Sequence, residues 1–416
     1  MDDYRSYRTS LCEILPLVAN THLYVHSVFH RDSIIPILPH IKHLQLNIDI
    51  TQFKALWQSS GPESFVKLES LNLVIRNGAS ANAVLLDDHL WGAKHTPFHL
   101  AHSLQSLTIE CYDRGLRLDV LVPAMDLPET QLSFLDLSDV EGLAATTVLS
   151  YIKKCTALNA LAITLGADAN AGDKHPFHAL RGLDFLTIRD STYNDLDKLR
   201  DDYSATLALR AIQAEAWDSL SVLDISHVVF NDASLLYLLL NECTKLTDLT
   251  STVPPLSDAF EGDQVISLPH LKSLHLKNIE HSWLFQLLRT PALSELDIEY
   301  KHTQGFDAAA VHHMIMLSMC SILDFQCGWS GRGYPCLPEL DDIFIAVPAA
   351  RSVQIGYIFS GKNLVMKFVQ GEILPCVEKL EWPMMEINKE LLERRADWEL
   401  KTYGRLVLKE HPLRAY

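Results

Sequence analysis

The chain has 416 residues, 48% of them hydrophobic, and a formal net charge of −17. That apolar content suffices for a large core or for one elongated repeat array. The acidic excess argues against nucleic acid and anionic membranes as principal ligands, since both are held by clustered Lys and Arg. No apolar run reaches the ~18 residues of a membrane span, and Met1-Asp2-Asp3-Tyr4 lacks the basic and apolar regions of a signal peptide. The eight cysteines include no C-x-x-C pair, and no N-x-S/T acceptor occurs. These features predict free thiols in a reducing, intracellular setting, cytoplasmic or nuclear.

In chain order, residues 1–30 read as an N-terminal cap ending in a weak L-x-x-L-x-L unit that starts at Asn20. The phrase Leu38-Pro-His-Ile-Lys-His-Leu-Gln-Leu46 follows, and it returns at Leu268–Leu276 with six of nine positions identical. Its L-x-x-L-x-L core recurs with first apolar residues at Ile41, Leu68, Leu104, Leu132, Leu158, Leu183, Leu220, Leu246, Leu271 and Leu293. The spacings are 27, 36, 28, 26, 25, 37, 26, 25 and 22, so the period sits near 26 and two gaps read as loop insertions. Weaker units start at Cys320 and Val377.

Each L-x-L alternates and predicts a short strand with one buried face. Between strands, Leu143, Val148, Leu149 and Ile152 fall at helical spacing, as do Leu235, Leu236, Leu239 and Leu240 after an Asn231-Asp232 start signal. The segment Ser191–Asp218, with Asp195, Asp197, Asp201 and Asp202, predicts an acidic loop or a loop plus helix. The Gly- and Pro-rich run Gly328–Pro338 ends the regular repetition. Beyond it, Ile343–Ala346 and Val353–Tyr357 read as strands, and Asn388–Lys401 as a capping helix. The organisation expected is a cap (1–30), a repeat array (31–330), and irregular final repeats with a C-terminal cap (331–416), all one continuous domain.

Two further echoes tie the units together. Pro97-Phe98-His99 and Pro176-Phe177-His178 stand at the same distance before their leucine motifs, and Cys155-Thr156 matches Cys243-Thr244 in phase. With these residues the chain resembles leucine-rich-repeat proteins of the cysteine-containing, ribonuclease-inhibitor-like kind. Its irregular spacing is similar to that of fungal F-box/LRR-like proteins. The resemblance covers residues 20–330 and implies an α/β leucine-rich-repeat solenoid, with parallel strands on a concave face and helices on a convex one. It also implies noncatalytic protein–protein recognition, as the target-recognition part of an F-box-type ubiquitin ligase with cullin-RING components as further partners. Two features depart from that pattern. The stretch before Ile41 does not read as a full F-box, and Asp49, Arg76, Tyr112, Val140, Gly166 and Ser191 stand where an Asn or Cys usually follows the strand. A stand-alone scaffold or inhibitor-like binder is the alternative, and an enzyme using the His- and Cys-rich C-terminal part a third reading.

Chemistry-bearing motifs are sparse. His22, His26 and His30 have metal-ligand spacing only on a helix, and Leu23-Tyr24-Val25 reads as a strand. His95, His99 and His102 are explained by the copied phrase, and Cys320, Cys327 and Cys336 match no zinc spacing. No phosphate loop, H-E-x-x-H helix or G-x-S-x-G elbow occurs, so no catalytic residue, cofactor or metal is assigned. Strand geometry supplies the binding candidates, because residues flanking the buried leucines point outward. These are Phe134 and Asp136, then Phe185, Thr187 and Arg189, then Val222 and Asp224. His275 and Lys277 follow, then Glu295, Asp297 and Glu299. Trp329, Arg332 and Tyr334 in the following loop form a second candidate surface. Exposed aromatics flanked by charge are common anchors of protein interfaces.

Overall fold

A leucine that alternates with polar residues can bury itself only against the same row of a neighbouring strand. The computed structural model shows that arrangement. It describes residues 22–26, 34–61, 63–76, 98–111, 127–139, 150–165, 182–190, 206, 209, 217–228, 230, 233–256, 264–301, 307–329, 340–356, 367–368, 370–382 and 407–410. Two compact units are present, Met1–Ala216 and Trp217–Tyr416.

In the N-terminal unit the strands are β1 (His22–His26), β2 (His43–Asp49), β3 (Ser70–Arg76), β4 (Ser106–Cys111), β5 (Phe134–Leu137), β6 (Ala160–Leu165) and β7 (Phe185–Asp190). Each pairs in parallel with the next along the chain. The C-terminal unit continues with β8 (Val222–His227), β9 (Asp248–Thr252), a two-residue β10 (Ile266–Ser267), β11 (Ser273–Ile279), β12 (Leu288–Arg289), β13 (Glu295–Tyr300), β14 (Asp324–Trp329), β15 (Ser352–Ile355), β16 (Lys379–Trp382) and β17 (Val407–Glu410). Here β8, β9, β11 and β13 to β17 form the parallel ladder, and β10 pairs separately with β12. Parallel strands in chain order, one per repeat, with helices or turns between them, make this an α/β leucine-rich-repeat solenoid.

The motif's backbone explains its own period. The second residue of a unit offers its carbonyl to two successive N–H groups of the next unit. Lys42 O accepts from Glu69 N at 2.7 Å and Ser70 N at 3.0 Å, and Glu69 O then accepts from Gln105 N and Ser106 N. The same clamp runs through Gln105, Ser133 and Asn159, and again through Ser221, Thr247, Lys272, Ser294, Leu323 and Arg351. It fixes strand register through the backbone alone, and a one-residue slip would turn every leucine outward. The first apolar residue of most units also donates its N–H to the carbonyl three residues earlier, closing a turn. That earlier residue is buried: Leu38, Phe65, Ala101, Cys155, Trp217, Cys243, Leu268, Thr290, Val347 and Leu374. Cys155 and Cys243 hold this position, and burial pushes both thiols up to about 12, so neither is a ready nucleophile.

The leucine rows are dry. Leu44, Leu71, Leu107, Leu135, Leu161 and Leu186 line the N-terminal core, and Leu223, Leu249, Leu274, Leu296, Phe325 and Val353 the C-terminal one. Ser251 replaces the third leucine of its L-x-x-L-x-L unit at 0% exposure. Its hydroxyl donates to Thr252 O at 2.7 Å, which removes the penalty of a bare buried donor.

The helices are α1 (Ile50–Ser59), α2 (Ala233–Glu242), α3 (Trp283–Leu287), α4 (Ala308–Ser318) and α5 (Leu340–Ala346). Helix α1 begins in a capping box. Asp49 accepts from Gln52 N at 2.8 Å, while Gln52 Oε1 accepts from Asp49 N at 3.1 Å. It inserts Phe53, Leu56 and Trp57 into the core, where Trp57 meets Phe98 edge-on at 5.5 Å and Phe98 stacks on Phe65 at 4.5 Å. Phe98 of the first Pro-Phe-His phrase is therefore a core anchor; Phe177 of the second lies outside the described residues. Helix α2 confirms the leucine spacing read after Phe230, with Leu235, Leu236, Leu239 and Leu240 buried.

Two expectations need correction. Residues Ile343–Ala346 are the end of helix α5, not a strand. Ile343, Phe344 and Val347 are all buried, a helical spacing, and Val347 N bonds back to Ile343 O at 3.1 Å. The unit read from Cys320 starts instead at Ile322, since Phe325 pairs with Leu296 and Cys327 with Ile298. Ile322, Phe325 and Cys327 are buried and Leu323 is exposed; four apolar residues within six made the phase ambiguous. The regions expected as the 191–218 acidic loop and the 388–401 capping helix lie almost wholly outside the described residues. Strand β15 forms at Ser352–Ile355, overlapping the expected Val353–Tyr357 but starting one residue earlier and ending at Ile355.

Leu161→Ala or Leu223→Ala should each destabilise the chain by roughly 2–5 kcal/mol through the cavity left behind, measured by denaturant unfolding. Asp49→Ala should cost about 1 kcal/mol by removing the α1 cap, with a visibly smaller loss than either leucine.

Candidate functional site

The residues that alternate with the buried leucines form in-register rows on the opposite face. In the N-terminal unit one row runs His43, Ser70, Ser106, Phe134, Ala160, Phe185, and the next runs Gln45, Asn72, Thr108, Asp136, Ala162, Thr187. Phe134 and Phe185 are half-buried and separated by a single strand, which places their backbones roughly 10 Å apart. Ala160 stands between them in the row, and Ala162, between Asp136 and Thr187 in the next row, is buried. Arg189 closes this end of the face, 3.8 Å from Asp139. Thr187, expected to be open, is 4% exposed.

Asp136 has a local task that the sequence reading did not recognise. Its carboxylate accepts from Ser138 N at 2.9 Å and Ser138 Oγ at 2.7 Å. Asp224 accepts from Ser226 N at 3.0 Å in the same way. Both sit in a Leu-Asp-Leu/Ile-Ser phrase, Leu135–Ser138 and Leu223–Ser226. The D-x-S spacing is the signal of an Asx-type contact. It coincides with the end of strand β5 at Leu137, whereas β8 continues past Ser226 to His227.

In the C-terminal unit the rows are Val222, Asp248, Ser273, Glu295, Asp324, Ser352, Lys379 and Asp224, Thr250, His275, Asp297, Gln326, Gln354, Glu381. Lys277 and Glu299 extend strands β11 and β13 on the same face. The register brings His275 of β11 beside Asp297 and Glu295 of β13. His275 Nδ1 lies 3.4 Å from Asp297 Oδ2. Its Nε2 lies 2.7 Å from Ser273 Oγ and 3.6 Å from Glu295 Oε1. Ser273 Oγ in turn donates to Glu295 Oε2 at 3.1 Å.

This chain of bonds is complete only when the imidazole carries both protons. Nδ1–H then serves Asp297, Nε2–H serves Ser273, and the serine proton serves Glu295. A neutral ring that keeps Nδ1–H must take the serine proton at Nε2, which deprives Glu295 of its donor. The Asp297 hydrogen bond accordingly holds the His275 proton above the ordinary histidine range, against the opposing effect of burial, with further help from the Asp297 and Glu295 charges. Burial also raises Glu299, an effect that nearby Lys277 opposes.

The order Ser273–His275–Asp297 is that of a serine hydrolase triad, but the surroundings do not suit that chemistry. Ser273 Oγ is shared with a second carboxylate, where a donor for the developing oxyanion is needed. The Ser273 N–H is already committed to Thr247 O at 3.1 Å. The arrangement stores a proton rather than activating a nucleophile.

Of the other candidates, Trp329 is placed by its backbone in β14, while Arg332 and Tyr334 lie outside the described residues. His22 and His26 are four residues apart on β1, a rise of roughly 13 Å, too far for one metal ion. No group of three or more His, Cys, Asp or Glu among the described residues is placed to hold a metal ion. No helix among them is long and apolar enough to cross a membrane.

No protein-family model matches the chain, and no curated protein matches it significantly. Among solved structures it is similar to a chain of the yeast Rad7–Elc1 complex, at 13% identity and a TM-score of 0.40, covering 91% of this chain and 82% of that one. It is also similar to a chain of the TLR13–ssRNA13 complex, at 13% identity and a TM-score of 0.39, covering 98% of this chain and 60% of that one.

The His275 cluster gives a signed pH dependence. Because folding raises its proton affinity, its stabilisation is fully present below the unfolded histidine value near ~6.5 and is lost as pH rises through the higher folded value. The stability gap between wild type and His275→Gln, up to ~1 kcal/mol for so exposed an ion pair, should be largest in mild acid and close towards alkaline pH. A gap that widens with pH in denaturant titrations would contradict the assignment.

Proposed function

We propose that the chain is a noncatalytic recognition protein that engages a protein partner through the outward faces of its strands. The observation that carries this is the in-register row Phe134–Ala160–Phe185. Two half-buried rings flank a single alanine, Ala160, with Asp136 and Arg189 on the same strands. Large aromatic groups next to charge, with a small residue between them that leaves space, suit an inserted apolar side chain from a partner. The acidic residues Asp224, Glu295, Asp297 and Glu299, with His275 and Lys277, supply a second, polar surface. Trp329, Arg332 and Tyr334 remain candidates for an adjoining contact.

The finer reading is a target-recognition role of the F-box/LRR type, working with cullin-RING components. It is supported by the repeat phrases Leu38–Leu46 and Leu268–Leu276 and the in-phase Cys155 and Cys243. A stand-alone scaffold or inhibitor-like binder uses the same surface without ligase machinery.

Phe134→Ala combined with Phe185→Ala should reduce capture of the partner retained by wild type by roughly tenfold or more, while the thermal midpoint stays close to wild type. Normal capture by the double variant would rule out this face. In the same pull-down, cullin-RING subunits should be retained if the finer reading holds; a stoichiometric partner without them selects the stand-alone binder.

A further inference from the structure

The C-terminal strand face is strongly unbalanced in charge. From β8 to β14 its outward rows carry Asp224, Asp248, Glu295, Asp297, Glu299 and Asp324 against one lysine, Lys277. His275 stands in the middle of this face, bonded across the strand pair to Asp297 and, through Ser273, to Glu295. We propose that His275 is a proton-operated gate on this face: while protonated it occupies Glu295 and Asp297, and on losing the proton it releases both to a cationic segment of a protein partner. The proposal rests on the recognition role above and assigns to it a partner chemistry and a means of control.

Geometry makes the gate possible. An imidazolium whose two N–H groups point at Asp297 and at the Ser273–Glu295 pair is an internal substitute for a lysine or arginine head. An incoming cation must displace it or be repelled by it. Deprotonation removes the repulsion and reverses the serine hydrogen bond, so that Glu295 loses its internal donor and needs an external one. The flanking groups favour a cation as occupant. Asp248 on β9 pairs with Ser273, and Asp324 on β14 pairs with Glu295, so both ends of the cluster open onto further carboxylates. Lys277 and Glu299, on the two central strands, face each other's side of the row and leave the net balance negative. The direction of the His275 shift places release on the alkaline side of the ordinary histidine range.

The test uses the full chain and an oligo-arginine peptide as probe, with binding measured by calorimetry at low salt in mild acid and in mild alkali. Wild type should bind about fivefold more tightly in alkali, the effect of one unit charge removed at close range in a largely aqueous setting. His275→Gln should bind with the alkaline affinity at both values. In the free chain, the His275 ring signal followed by NMR should titrate above the ordinary histidine range, and fall in Asp297→Asn. If wild type and His275→Gln share the same pH dependence, the gate is wrong while the cationic preference stands. If the peptide binds at neither pH, the proposal is overturned, and the Phe134/Phe185 surface is judged separately by its own double variant. An Asp297→Asn chain whose ring signal does not move would also overturn it.

Discussion

One interaction recurs in both units and determines what the leucines can do: a single carbonyl that accepts from two consecutive N–H groups of the next repeat. Lys42, Glu69 and Gln105 perform it early in the chain, Ser294, Leu323 and Arg351 late. It lies at the two variable positions of L-x-x-L-x-L, which explains why those positions tolerate Lys, Glu, Gln, Ser, Thr and Arg. The bond uses backbone only, so the side-chain type there can vary, while that of the flanking leucines cannot. Burial of the leucine rows stabilises the ladder, but the clamp decides which residues enter the row. Parallel pairing gives no hairpin to set register, so a fixed contact at the start of each strand has to do so.

Much of this fold was legible because its period is written in apolar residues. The strands at Leu44, Leu71, Leu107 and their successors fall where alternation placed them. The turn residue three places before each unit was only half legible. It appears as Leu38 and Leu268 in the repeated phrase and as Cys155 and Cys243 in the other echo, yet Phe65, Trp217 and Thr290 fill the same place. The position requires burial rather than one residue type, and Ala101 fills it as well. Where apolar residues crowd together, alternation loses its phase. Ile322, Leu323, Phe325 and Cys327 admit two registers, and only pairing with Leu296 and Ile298 selects one. Helix α5 was misread for a related reason, since Ile343 to Val347 is apolar throughout and carries no period of its own.

The outward face was legible as a set of positions but not as a set of roles. Asp136, Asp224 and Asp297 occupy equivalent places after the first strand leucine. The first two are followed two residues later by serine and bend back to it. Asp297 is followed by Glu299, finds no local donor of that kind, and reaches His275 on the adjacent strand. A difference at one neighbouring residue thus separates a carboxylate bonded to its own strand from half of an ion pair. The D-x-S spacing could have been read from the sequence. The meeting of His275 with Asp297 could not, because it depends on a register fixed 22 residues away.

The contrast between the units follows from the same geometry. Where a small residue fills the outward row, as Ala160 does between Phe134 and Phe185, the face has relief. Where carboxylates fill it, as from Asp248 through Asp324, the face is flat in size but steep in potential. Like charges on adjacent strands sit close enough to destabilise one another, and a solenoid cannot move them apart without losing its register. The C-terminal unit contains a partial remedy at the point of highest density, an imidazole between Glu295 and Asp297 with a serine to relay the proton. That remedy is conditional on pH where a lysine would be permanent. A permanent cation would neutralise the face for good, whereas a histidine leaves it able to accept a different cation once the internal one is discharged.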